Sequence, residues 1–140
     1  MFGAEEVALW SSTRGGLWMR KGSRVRLRVA ESAIMGAGRG LFTTAFVDAG
    51  VCLGRMSGGV LLAGTLGKCE DEGIRRACTH AMALRYAAGW ALVDVGAPFR
   101  FVNCSTTPNV SVSAAGWVVS SVAVAARTEL VFDYGGLFCV

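Results

Sequence analysis

Three short stretches of this 140-residue chain carry residue types that ligand binding or chemistry would need. The first is Gly36-Ala37-Gly38-Arg39-Gly40-Leu41-Phe42. Glycines this dense let a backbone approach a ligand closely, because no Cβ intervenes. A dinucleotide-binding loop must open a helix, whereas Phe42 to Val47 has strand character, so alone the run reads as a turn. The second is Phe99-Arg100-Phe101-Val102-Asn103-Cys104-Ser105-Thr106-Thr107-Pro108-Asn109, where an apolar strand runs directly into polar residues. Such groups beside a core strand need partners, from backbone or from a ligand. The third is Glu129-Leu130-Val131-Phe132-Asp133-Tyr134-Gly135-Gly136, an aromatic-acid-aromatic triplet ahead of two glycines. Read alone, Tyr134 is a core aromatic whose hydroxyl meets a backbone group, and Asp133 is structural rather than an acid–base group. His80, the single histidine, has no partner visible in the sequence.

The elements that must position these stretches are mostly short strands with glycine-rich turns. Gly36 to Gly40 is a tight loop, Leu41 to Val47 a strand, Asp48-Ala49-Gly50 a turn, and Val51 to Met56 a second strand. From about Lys68 to about Ala87 the pattern is helical. Glu70, Asp71 and Glu72 sit in the first turn, where the dipole favours anions, and Arg75, Arg76 and Arg85 come later. Ile74, Ala77, Cys78, Ala81, Met82 and Leu84 supply the apolar stripe. Strands follow at Ala91 to Val95, Phe99 to Val102, Val110 to Ser113, Trp117 to Ala125 and Leu130 to Phe132. Ala114-Ala115-Gly116 turns the hairpin between the third and fourth of these. Mostly strands around one helix makes a β-rich α+β domain.

With the elements in order, the motifs resemble those of the SET domain. "GAGRGLF", a Val-Asp-Ala-Gly turn, "RFVNCSTTPN" and "ELVFDYGG" follow one another from Ser32 to Gly136 as the family's GxGrGlF-like loop, RFxNHSxxPN segment and ELxFDYG do. The short chain is similar to the minimal SET proteins of some large DNA viruses, without zinc-binding flanks. The resemblance implies S-adenosyl-L-methionine-dependent protein-lysine methylation, with histone as a candidate substrate. It also implies a knot-like C-terminal arrangement in which the RFxN and DYG segments pack together. Carried over residue by residue, Gly38, Arg39 and Gly40 line the cofactor through their backbone. Arg100, Phe101, Asn103 and Cys104 supply the second wall, Tyr134 marks the methyl-transfer point, and Phe132 and Met56 line a lysine channel. Phe at position 132 goes, in the family, with products beyond monomethyl-lysine. The chain departs from the pattern where Cys104 replaces a His, Thr106 replaces a zinc-binding Cys and Met56 replaces a Tyr. With only Cys139 beyond the Tyr134 motif, no C-terminal zinc site is expected. A rival reading is therefore a catalytically inactive SET-like structural subunit of a larger protein or ribonucleoprotein assembly.

Composition bounds the rest. The length fits one domain, divided here into a basic arm with a first strand, 1–28, and a SET-like domain, 29–140. Residues are 53% hydrophobic and only 17% charged, against about a quarter charged in typical chains. Some apolar surface is thus expected to meet a second copy or a partner subunit. The uncharged stretch from Phe101 to Ala126 is β-branched, polar in places and broken by Pro108, which argues strands rather than a membrane span. Glu5 and Glu6 come early and no apolar run follows, so no signal peptide is expected. The expected location is intracellular, nuclear or else mitochondrial. The five cysteines include no CxxC spacing, so free thiols are expected. Arg14, Arg20, Lys21, Arg24, Arg26 and Arg28 fall together without an acid among them, and Val25, Leu27 and Val29 alternate with the last three. That is either an edge strand protected by charge or a patch for nucleic acid or an acidic partner.

Overall fold

A computed structural model describes residue 6 and residues 9–64, 81–86 and 89–133, with 59–64, 81–86 and 89–92 described by their backbone alone. Its strands are β1 (Trp10–Thr13), β2 (Leu17–Arg20), β3 (Arg26–Glu31), β4 (Arg39–Thr43), β5 (Cys52–Arg55), β6 (Gly58–Gly64), β7 (Ala81–Tyr86), β8 (Gly89–Val95), β9 (Asn103–Cys104), β10 (Val110–Val112), β11 (Trp117–Ser120) and β12 (Glu129–Phe132). Apart from helical backbone at Glu6 and Leu9, the one helical element with a span among the described residues is a 3-10 turn, Phe99–Phe101. The β-rich class expected from the sequence is the class observed.

Three sheets form, ordered β1-β2-β3-β4-β12-β9, β10-β11-β5 and β6-β8-β7. Alternation in β3 decides which way the six-stranded sheet faces. Leu27 is fully buried while Arg26 and Arg28 are exposed, as a half-buried strand requires. Leu41 and Leu130 lie on the same inner face, paired across β4 and β12. With Leu53, Met56, Val93, Phe99, Val110 and Val118 they make the hydrophobic core. Trp10 closes it edge-on to Phe99, centroids 5.4 Å apart.

Near Trp10 the chain buries a charge. Glu6 accepts hydrogen bonds from Arg20 Nε and Nη2, both at 3.0 Å, from Arg55 N at 3.1 Å and from Trp10 Nε1 at 3.3 Å. Burial pushes the Glu6 carboxyl up. The Arg20 and Arg55 hydrogen bonds, the Arg20 charge and the Trp10 N–H outweigh that, and hold it below the ordinary glutamate value. This one pair fastens the segment before β1 to both β2 and β5.

Expectations for three elements are corrected. The helix from about Lys68 to about Ala87 gives way, over Ala81–Tyr86, to strand β7, which pairs with β8 from Ala81↔Asp94 to Tyr86↔Gly89. Ala81, Met82, Ala83, Leu84 and Arg85 are good helix formers, but a ladder to β8 satisfies their backbone and overrides that preference. Residues 68–80 and 87 of the expected helix lie outside the described residues. Phe99 to Val102 is a 3-10 turn instead of a strand. Phe101 N and Val102 N donate back to Pro98 O and Phe99 O, each at 3.1 Å. Four residues with three apolar side chains read alike in either state, and Pro98, in helical backbone, starts the turn.

The expected strand from Trp117 to Ala125 stops at Ser120, leaving only an isolated bridge, Val47↔Val124. The expected hairpin is present, with Gly116 N donating to Ser113 O at 2.8 Å and Ser113 N to Trp117 O at 2.9 Å. Among the described residues no helix is long and apolar enough to cross a membrane.

Candidate active site

The three motifs meet at β4, β9 and β12. Strand β12 lies between the other two, antiparallel to β4 through Glu129↔Phe42 and parallel to β9 through Val131↔Asn103 and Phe132↔Cys104. The RFVN and ELVF segments are thus laid side by side. Asn109 then reaches over to clasp β12: its Nδ2 donates to Glu129 O at 2.8 Å, and its Oδ1 accepts from Val131 N at 2.9 Å. The segment 103–109 therefore wraps β12 at both ends, a knot-like arrangement. Asn109 was legible as a polar residue needing a partner, and its partner is backbone.

At the centre of this meeting is Glu129, which the sequence did not single out. Its carboxylate accepts from Ser32 Oγ at 2.9 Å through both oxygens, and from Asn103 Nδ2 at 2.9 Å through Oε2. The same Asn103 amide donates to Arg39 O at 2.9 Å. Both Nδ2 hydrogens are thereby engaged, and Asn103 is locked with Oδ1 as its remaining acceptor. A Cβ at position 40 would lie 2.8 Å from Glu129 Cδ and 3.3 Å from Asn103 Nδ2, so any larger residue there must push the Glu129 carboxylate aside. The signal available in the sequence was the pairing of a glycine strand with an acid opening the last strand, but only the register makes them neighbours.

The glycine loop is the connection from β3 to β4. Ser32 N donates to Gly38 O at 2.8 Å and Ala37 N to Ile34 O at 3.1 Å, closing the loop and leaving Met35 99% exposed at its tip. Gly38 has φ +72°, and nothing lies within 4 Å of where its Cβ would be. The backbone is therefore open to a ligand at that point.

The structure brings Arg39, Gly40, Asn103, Cys104 and Phe132 together, with Gly38 at the loop's edge. Phe101 is half-buried against the core. Arg100 is exposed on the 3-10 turn. Met56 is 1% exposed in the core, with its N–H donating to Gly116 O at 2.7 Å. Tyr134 lies outside the described residues, as do His80, Cys69, Cys78 and Cys139. The expectation of free thiols holds for Cys52, which is exposed, and fails for Cys104, which is disulfide-bonded. Sequence spacing cannot reveal a disulfide between distant segments, because only their folded proximity forms it. While the disulfide is closed, whatever Cys104 offers a ligand comes through its backbone and not through a thiol.

No protein-family model matches the chain, and no curated protein matches its sequence. Solved structures do match. The methyltransferase domain of human histone-lysine N-methyltransferase SETMAR superposes with a TM-score of 0.61 at 20% identity, over 83% of this chain and 46% of that one. The Chaetomium thermophilum polycomb repressive complex 2 gives 0.60 at 20% identity, over 80% of this chain and 15% of that one. A structure of that complex in an autoinhibited conformation bound to S-adenosylmethionine gives 0.59 over the same shares. The fold is that of the SET domain. This SET fold spans less than half the length of the chains it matches. Within it the glycine loop, Asn103 and Glu129 occupy a single sheet face, since Gly40 and Ala30, Phe42 and Glu129, and Val131 and Asn103 are register partners.

Proposed function

We propose that the chain is an S-adenosyl-L-methionine-dependent protein-lysine N-methyltransferase, acting on a histone or a similar lysine-bearing protein in the nucleus. The observation that carries this reading is the junction of Glu129, Asn103 and Arg39 O beside the open backbone at Gly38. These residues fit the methionine end of the cofactor. An α-ammonium needs acceptors, and Asn103 Oδ1 and the Glu129 carboxylate are acceptors held in fixed positions. When bound, the cofactor supplies an electrophilic sulfonium methyl, so the protein has mainly to align a neutral amine with it.

This chain's residues then have separable tasks. Ser32 and Asn103 orient Glu129, and Glu129 with Asn103 holds the ammonium. Gly38 permits close approach of the loop backbone. Phe132, adjacent to Cys104 in the ladder, offers an aromatic surface that tolerates a methylated ammonium by cation–π attraction. A free lysine titrates near 10.4, and a desolvated channel beside a sulfonium charge favours its neutral form. Tyr134 is assigned the transfer point by its place in the motif alone. In a reducing nucleus the Cys104 disulfide would open, while Asn103 stays fixed through Arg39 and Glu129.

Titration calorimetry with S-adenosylmethionine or its demethylated product tests the reading. Folded protein should bind, and Tyr134→Phe should abolish transfer to a lysine peptide with affinity nearly unchanged. Absence of binding by folded protein would reject the enzyme and favour the inactive SET-like structural subunit.

A further inference from the structure

Residues 9–30 contain six cations and no acid. The structure takes one of these out of play, because Arg20 is engaged by Glu6. The other five, Arg14, Lys21, Arg24, Arg26 and Arg28, are exposed, and none is ion-paired with an acid among the described residues. Their placement is ordered. Arg28 Nη1 donates to Gly15 O at 2.8 Å, which sets its guanidinium beside Arg14 at the β1–β2 turn. Arg26 Nη1 donates to Ser23 O at 3.1 Å, which sets its guanidinium at the β2–β3 turn with Lys21 and Arg24. Two cationic groups thus stand at opposite ends of the four-residue β2, about 13 Å apart at ~3.3 Å per strand residue. A guanidinium has five N–H donors, so each tethered arginine keeps most of its donors for a ligand.

Arg26 and Arg28 also project from the outer face of the six-stranded sheet, the face that carries Glu129 and Asn103. Their register partners across the sheet, Arg28↔Phe42 and Phe42↔Glu129, put them on the same side. From β3 to β9 is three strand spacings, about 14 Å.

We propose that this face binds the phosphate backbone of duplex nucleic acid without regard to sequence. Charge complementarity favours this occupant over an acidic protein. Protein interfaces centre on apolar and aromatic anchors, and the exposed large hydrophobics, Ile34, Met35, Phe46, Trp117 and Val122, all lie outside residues 9–30. Single strands are held by stacking bases on aromatic side chains, and no aromatic is exposed in this patch. Each strand of a duplex carries one phosphate per ~3.4 Å of helix axis, so two cationic groups about 13 Å apart along that axis meet phosphates roughly four steps apart. A duplex seated there would lie alongside the candidate active site, and a substrate lysine carried on nucleic acid would be brought close to it.

Fluorescence anisotropy with a 20-base-pair DNA duplex of arbitrary sequence, from 50 to 200 mM salt, tests this. Five phosphate contacts predict a slope of about −4.5 in log K against log salt, at ~0.9 per contact. The combined variant Arg24→Ala, Arg26→Ala, Arg28→Ala should lower the slope to about −2 and weaken binding at least tenfold at 100 mM salt. Its circular dichroism should be unchanged and its melting lowered by no more than a few degrees, because the only hydrogen bonds lost, to Ser23 O and Gly15 O among the described residues, are exposed. A second, unrelated duplex should bind equally well. No binding of duplex at 50 mM salt, a slope near zero, an unaffected triple variant, or preference for poly-glutamate or single-stranded DNA would each overturn the proposal.

Discussion

Replacing Glu129 by glutamine probes the proposed ammonium site with little change of shape. Ser32 Oγ reaches both carboxylate oxygens, whereas Asn103 Nδ2 reaches only Oε2. A glutamine can therefore keep its carbonyl towards Asn103 and turn its NH2 to the place of Oε1, where the Ser32 hydroxyl can accept instead of donate. One hydrogen bond to a charged group becomes a neutral one, which should cost about 1 kcal/mol of stability. The effect on the ligand should be larger. A charge-assisted hydrogen bond contributes about 1.5–3 kcal/mol, which corresponds to roughly 10–100-fold in Kd at about 1.4 kcal/mol per decade. Calorimetric titration of S-adenosylmethionine into wild type and Glu129→Gln, with melting curves for both, measures the two quantities separately. A variant that melts within a few degrees of wild type yet binds 10–100-fold more weakly agrees with the reasoning. Binding within twofold of wild type would show that Glu129 does not meet the ammonium and only braces Asn103.

Two further perturbations address the frame of the site. Glu6→Gln removes the charge that holds Arg20, and with the Glu6–Arg20 contact mostly buried the loss should be about 2 kcal/mol, or roughly 7 °C in Tm for a chain of this size. Because the folded-state pKa of Glu6 is lowered, its contribution is full above the unfolded value of about 4.3 and is lost as pH falls through the folded value. The wild-type advantage should therefore be present at pH 7 and fade below about pH 4; an advantage that persists undiminished at pH 3 would contradict the assigned pair. Thiol reduction should lower Tm, since a disulfide contributes about 2–4 kcal/mol, but should leave S-adenosylmethionine affinity within twofold because Asn103 is held by Arg39 and Glu129. A tenfold loss of affinity on reduction would show instead that the Cys104 disulfide shapes the site.

What the sequence made legible was what local chemistry decides. The closed loop before β4 and the hairpin at Gly116 follow from glycine's tolerance of positive φ. Strands β5, β10 and β12 follow from short β-branched or alternating runs between turns. What stayed hidden depends on distant partners. Ala81–Tyr86 has the composition of a helix and becomes a strand because β8 lies alongside. Phe99–Phe101 has the composition of a strand and turns because Pro98 precedes it. Glu129 opens the ELVFDYGG run, which by itself assigns it no role. Its role exists only because the β4–β12 register sets it over Gly40 and the parallel step to β9 brings Asn103 to it.

Asn103 bonds both Glu129 and the carbonyl of Arg39, the residue after Gly38, and the central claim is that this junction receives S-adenosylmethionine. Titration of folded protein with the cofactor decides it most directly. Saturable 1:1 binding that Asn103→Ala weakens at least tenfold is the result expected. A well-folded chain that gives no heat and no change in melting temperature with millimolar cofactor would contradict the claim.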